Sequence, residues 1–196
     1  MAKTQVKFQA EAVILLSCLI GLVCFGSCSS GAKSREDRLH AYLTDTSVYI
    51  LLPPSGIEKP MDMAQHISAS FQGQDYFFAA WVKANEAGIE MTLLSELGTN
   101  MGELSYRDSA VFFSSPLFPA SLKLEYIIAD FQLCFYNPRL LSRALEDCRL
   151  VLETTGAVRR ILSGKDLIYE IEKNTDAVKL TNHLRGYAYT LEGDFS

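Results

Sequence analysis

Apolar and polar residues alternate along most of the chain, and this period of two predicts β-strands. In the stretch 66–72, Ile67, Ala69 and Phe71 alternate with polar residues. Short segments rich in Gly, Asn and Ser separate one such stretch from the next and predict turns. The pattern predicts strands at 48–52, 66–72, 76–84, 89–93, 101–107, 110–114, 150–153, 158–162, 167–173, 178–182 and 184–192.

One stretch in the middle of the chain, 121–148, has helical periodicity instead. Ser121 is placed to cap a first helix, whose apolar residues cover too broad a surface for a single contact face. This helix is therefore predicted to be a lid or a core plug. Asn137 followed by Pro138 is typical of the start of a second helix. The second helix repeats apolar residues on one face, at Leu141, Ala144, Leu145 and Cys148.

Six predicted strands before the helices and five after them indicate a mainly β (α+β) fold. Closely spaced strands joined by short turns, such as the hairpin at 85–88, favour antiparallel pairing. We expect an antiparallel, about eleven-stranded incomplete barrel with a helical lid over its open side. A flatter sheet packed on two helices, whose inward residues only fill a core, is the alternative.

The N-terminal region carries the pattern of a targeting segment. Lys3 and Lys7 precede an apolar run at 12–23, and small residues then lead to Cys28. This pattern resembles a bacterial lipoprotein signal peptide, which would span residues 1–28. The resemblance implies that Cys28 is lipidated and becomes the first residue of the mature protein.

Two alternatives stay open for this segment: Cys18 as the lipidated residue, and an uncleaved membrane anchor. The apolar run has about 12 residues, whereas a membrane-spanning helix needs about 20. Residues 29–47 are predicted to form a tether followed by a short amphipathic helix at 36–43. Because Ser29 follows Cys28, the lipoprotein resemblance implies a cell-envelope protein, lipid-anchored to the outer membrane and facing the periplasm.

Composition and motifs favour a function without catalysis. The chain of 196 residues has a net charge of −5 and no cluster of Lys and Arg, which disfavours a nucleic-acid partner. It contains no nucleophile elbow, P-loop, Cys-x-x-Cys pair or His-Glu-x-x-His motif. His40, His66 and His183 lie far apart without the spacing of metal ligands. We expect no catalytic residue, metal site or cofactor, and we predict that the protein is not an enzyme.

Asp130 is the polar residue that stands out, because it lies within an otherwise apolar helix. It either faces solvent, pairs with Arg159 or Arg185, or marks a functional site. Cys134 and Cys148 are predicted to be reduced, buried thiols. Antiparallel helices would place their Cα atoms on the order of 10 Å apart, beyond the roughly 7 Å that a disulfide permits.

Three segments carry a resemblance to a known family: 125–138, which contains Ala-Asp-Phe-Gln-Leu and ends in Phe-Tyr-Asn-Pro, 159–161, which reads Arg-Arg-Ile, and 185–191, which reads Arg-Gly-Tyr-Ala-Tyr-Thr-Leu. Residues 48–195 resemble an uncharacterised family of bacterial lipoproteins, related in fold to the lipoprotein-sorting proteins LolA and LolB. That family is often encoded beside aryl-polyene lipid synthesis clusters. The resemblance implies that residues 48–196 form a LolB-like half-barrel of eleven strands, with a helical lid and an apolar cavity for acyl chains.

In LolB, a protruding loop between two strands carries a large apolar residue that helps to deliver cargo to the membrane. The corresponding hairpin here, 84–88, has no large apolar residue. We expect a lipid-anchored protein that binds a lipid or lipoprotein acyl chain for transport or localisation. A lipid-acting hydrolase or thioesterase and a structural envelope interaction module are the alternatives. The candidate cavity residues are Ile67, Phe71, Phe78, Trp81, Met91, Leu93, Leu104, Phe113, Phe131 and Phe135.

Overall fold

The alternating stretches form one large antiparallel sheet in the computed structural model, which describes residues 38–71, 73–115 and 123–195. Ten strands form this sheet, in the order β7-β6-β5-β4-β3-β12-β11-β10-β9-β8. Their bounds are β3 (Met61–Phe71), β4 (Gln74–Asn85), β5 (Gly88–Leu94), β6 (Asn100–Arg107), β7 (Ala110–Ser114), β8 (Val151–Thr155), β9 (Val158–Ser163), β10 (Asp166–Lys173), β11 (Ala177–Asn182) and β12 (Tyr187–Glu192).

Two meanders of five strands each make up the sheet, and β3 pairs with β12 to join them. Short turns connect neighbouring strands, and Gly73 and Gly98 adopt the positive φ that two of these turns require. The strands β7 and β8 form the two edges, so the sheet is not a closed barrel. The mainly β, antiparallel prediction is confirmed at this level.

A separate two-stranded sheet lies before the large one and accounts for the difference in strand count. It consists of β1 (His40–Tyr42) and β2 (Val48–Ile50). The prediction of a short helix at 36–43 is wrong for residues 38–43, which the structure describes. This segment contains β1, which pairs with β2 across a turn. In that turn Thr44 Oγ1 accepts a hydrogen bond from the backbone N–H of Ser47. The segment predicted as the first strand of the barrel therefore pairs outside the large sheet.

The first helix, α1 (Leu124–Phe135), lies in the core. Eight consecutive residues, Ile128 to Phe135, are buried, which is more than two turns and so includes every side of the helix. The large sheet covers one side, and the segment around β2 covers another, where Gln132 Oε1 accepts hydrogen bonds from Tyr49 Oη at 2.9 Å and Leu52 N at 3.0 Å. The helix is thus a core plug. The predicted cap Ser121 lies outside the described residues, and Lys123 occupies the N-cap without a side-chain bond.

The second helix, α2 (Pro138–Glu146), starts as the sequence predicts. Asn137 Oδ1 accepts a hydrogen bond from Arg139 N at 3.0 Å, and Pro138 occupies the first turn. Its apolar face is buried through Leu141 and Leu145.

Cys134 and Cys148 are both buried, and no disulfide joins them in the described part of the chain, as the sequence predicts. The predicted signal peptide, Cys28 and the tether lie outside the described residues. Within the residues that the structure describes, neither helix is long and apolar enough to span a bilayer.

Candidate functional site

The side of the large sheet that faces α1, called here the inner face, carries most of the predicted cavity residues. Residues directly opposite in an antiparallel pair share a face. Leu93 pairs with the buried Ala80, and Phe113 pairs with the buried Leu104. Phe78 lies two residues before Ala80 and therefore shares its side of β4. Phe78 pairs with Ile67 on β3, so Ile67 lies on the inner face as well. Phe71 lies four residues after Ile67 on the same strand and therefore points to the same face.

The inner face is only partly covered. At one end of β4 and β5 the side chains are fully packed, with Val82, Ala84 and Ile89 at most 2% exposed. Towards the other end the same face carries apolar side chains that keep contact with solvent, and we call these five residues the inner strip. The Phe71 side chain is 45% exposed to solvent. The other four residues of the strip are partly buried: Ile67, Phe78, Leu93 and Phe113.

The remaining predicted cavity residues divide into three groups. Met91, Leu104 and Phe131 are buried and fill the core. Phe135 is buried and lines a different cavity, described below. Trp81 lies on the outer face, one residue from Ala80, is 49% exposed, and donates a hydrogen bond from Nε1 to Asp62 Oδ1 at 2.9 Å. Its assignment to an inner cavity is therefore corrected.

A cavity of about 550 Å³ lies at the C-terminal end of α1, and we call it the C-terminal cavity. It lies in the range of ligand pockets, roughly 300–1,000 Å³. Phe135 and Phe195 stack in its wall with ring centroids 5.7 Å apart. The Nζ of Lys173 stands 5.4 Å from the centroid of the Phe135 ring. Aromatic, aliphatic and charged groups thus meet in one concave surface.

A buried arginine closes the wall behind this cavity. Arg159 is 4% exposed, and its Nη1 donates hydrogen bonds to the carbonyl oxygens of Leu133, Cys134 and Tyr136 at 3.0–3.1 Å. Its Nη2 contacts Glu58 Oε2 at 2.8 Å. The guanidinium therefore donates hydrogen bonds to carbonyls that the end of α1 leaves unpaired. Its positive charge also interacts favourably with the negative end of the helix dipole.

The sequence analysis proposed Arg159 only as a partner for Asp130. The sequence did contain an indication that Arg159 points inward. Arg159 lies two residues before Ile161 on β9, so both side chains point to the same face of the sheet, and Ile161 is buried in the core. An arginine at an inward position of a strand has to find acceptors in the core.

Asp130 is buried, 7% exposed, and accepts a hydrogen bond at Oδ2 from Tyr187 Oη at 2.8 Å. Its other oxygen, Oδ1, is buried without a hydrogen-bond partner among the described residues. Burial raises the pKa of Asp130 from 3.8 to about 7, while the Tyr187 hydroxyl and the charge of Arg185 act in the opposite direction. Neither solvent exposure nor pairing with Arg159 applies to this carboxyl group.

Two more buried polar atoms without partners lie in the same region of the described structure, Tyr169 Oη and Asn182 Nδ2. Tyr169 pairs with Asn182, and Asn182 pairs with Tyr187, so all three side chains point to the inner face in one row. Together with Asp130 they form a polar cluster next to the inner strip, since Tyr187 is also the partner of Phe71. The arrangement raises the pKa of Asp130, but within the described residues the cluster presents no exposed nucleophile. His66 and His183 are exposed and lie outside it.

A family model described as "Protein of unknown function (DUF3261)" matches residues 62–193, which is well over half of the chain. The match covers nine complete strands of the large sheet, most of β3 and both helices. A comparison with curated proteins gave no match. The chain therefore belongs to the DUF3261 family.

Proposed function

We propose that this member of the DUF3261 family binds an apolar chain of a lipid or lipoprotein along the inner strip, without chemical conversion. In this proposal the sheet is a LolA/LolB-like half-barrel around α1. The protein would be anchored in the outer membrane through a lipid on Cys28 and would act in transport or localisation of its ligand in the cell envelope.

One observation carries the proposal: the inner strip is apolar and incompletely covered. None of the described inward positions of β3 to β7 is charged. The strip extends from Phe71 on β3 to Phe113 on β7, which is about 19 Å across at roughly 4.8 Å per strand. An exposed apolar surface of this kind favours an apolar ligand. Each methylene group removed from water there would gain about 0.8 kcal/mol.

The strip also offers no group that would react with an ester. Its five side chains are aliphatic or aromatic, and Asp130, in the neighbouring polar cluster, is buried and accepts a hydrogen bond from Tyr187. These features favour a carrier over a hydrolase or thioesterase.

Replacing Leu93 by Trp tests the proposal. If the strip has free space, Leu93→Trp costs little stability but blocks uptake of a fluorescent fatty acid. If the strip belongs to a filled core, the same change overpacks it and costs about 1–3 kcal/mol. Thr92→Trp is the matched control, since Thr92 pairs with Trp81 on the outer face. The control variant should bind the fatty acid like the parent protein.

Two measurements, thermal unfolding and fatty-acid titration, separate the outcomes. Strong destabilisation by Leu93→Trp, together with no fatty-acid binding by the parent protein, would end the carrier proposal and leave a structural interaction module. The anchor is tested separately by metabolic labelling with a fatty-acid probe in the native host. Cys28→Ser should abolish the label, and a label retained by this variant would move the lipid to Cys18 or Cys24.

A further inference from the structure

The C-terminal cavity is separate from the inner strip. On β3, Met61 and Met63 line the cavity, whereas Ile67 belongs to the strip. Gln65 lies between them on the same face and is 2% exposed, so the packed core divides the two surfaces. A ligand in the cavity would not need the strip to be occupied.

Three carboxylates and two lysines line the cavity, and Lys173 shares one of these carboxylates, Glu58, with the buried Arg159. Glu58 Oε2 receives Arg159 Nη2 at 2.8 Å, while Lys173 Nζ stands farther away, at 3.9 Å. Arg159 is therefore the closer partner of Glu58. Asp62 also borders the cavity, but its carboxylate accepts from Trp81 on the outer face. Lys59 and Asp194, which complete the wall, have interactions of their own.

Lys173 is held at the cavity wall. Its side chain is 26% exposed, and its ammonium group stands against the Phe135 ring, itself stacked on Phe195. Burial, and next the charge of Arg159, lower the pKa of Lys173. A partly buried ammonium group that shares its counter-ion with Arg159 would gain from a second negative charge.

We infer that the C-terminal cavity binds an organic carboxylate with an apolar body. The carboxylate would pair with Lys173 Nζ. The apolar body would pack on Phe135, Phe195, Met61 and Met63, which belong to the apolar part of the wall. A charge-assisted pair in such a partly desolvated site is stronger than the same pair in open water.

Octanoate and octanol are the probes, because both have an eight-carbon chain and only octanoate carries a negative charge. Calorimetric titration of the full chain should show octanoate binding at least about tenfold tighter than octanol. Lys173→Met should abolish this difference while keeping the aliphatic stem of the side chain. Lys179→Met is the control, since Lys179 lies on the neighbouring strand, is 54% exposed and points away from the cavity. Both titrations are repeated in the Leu93→Trp protein, in which the inner strip is blocked, so that the octanoate preference of the cavity is measured by itself.

A second measurement needs no variant. Acetylation of lysines, mapped by mass spectrometry, should slow at Lys173 when octanoate is present and stay constant at Lys179. Equal affinity of the parent protein for octanoate and octanol would overturn the inference. So would an octanoate preference that survives in Lys173→Met, or equal acetylation of Lys173 with and without octanoate.

Discussion

Replacing Asp130 by Asn should make the stability of the protein less dependent on pH. Asp130 accepts a hydrogen bond from Tyr187 at 2.8 Å, and an amide oxygen can accept the same bond. The amide NH₂ would then occupy the place of the unpaired Oδ1. There it can donate to the Tyr169 hydroxyl, which also lacks a partner among the described residues. The variant thus removes a titrating group while keeping the local geometry.

The magnitude follows from the pKa. Burial raises the pKa of Asp130 from its usual 3.8 to about 7 in the folded protein, so the folded state holds this proton more tightly than the unfolded state. The stabilisation is fully present below about pH 4 and is lost as the pH rises through 7. At 1.36 kcal/mol per pH unit, the difference corresponds to about 4 kcal/mol. The parent protein should lose that amount between roughly pH 4 and pH 8, on the scale of its whole stability.

Urea unfolding at pH 5, 6, 7 and 8 measures this effect for the parent, Asp130→Asn and the control Asp75→Asn, in which the replaced residue is exposed. Asp130→Asn should gain stability relative to the parent as the pH rises and should exceed it at pH 8. The control should follow the parent at every pH. Parallel curves for the parent and Asp130→Asn, or a less stable variant at pH 8, would refute the reasoning.

Two further predictions concern the end of α1 and its thiol. Arg159→Met should lower the free energy of unfolding by about 3–5 kcal/mol, because it leaves three carbonyls without their partner and removes the closer cation of Glu58. Arg160→Met, on the exposed side of the same strand, should cost at most about 1 kcal/mol, and equal losses in urea unfolding would contradict this account. Burial raises the pKa of Cys134 to about 12, so alkylation mapped by mass spectrometry should be far slower in the native protein than in urea.

Alternation along the chain determined much of the fold and part of the candidate site. Successive side chains of a strand point to opposite faces, so Ile67 and Phe71 had to share one surface wherever β3 paired. The start of α2 was equally local, since Asn137 and Pro138 act within a single turn. The distribution of apolar residues around α1 also required cover on most sides before any partner was known.

Other features depended on contacts between distant segments, which alternation does not encode. The stretch 76–84 is apolar on both faces, so only its pairing with β5 shows that Trp81 points outward. His40–Tyr42 is too short to be recognised as a strand without its partner β2.

Tertiary structure also decided the state of the charged groups. Arg159 finds its acceptors 23 to 26 residues away in the chain, and Asp130 finds Tyr187 57 residues away. Burial and hydrogen-bond partners set the energy of a charge, and both exist only after the sheet has packed against α1. The sequence determined which residues face inward, and packing decided which of them remain uncovered.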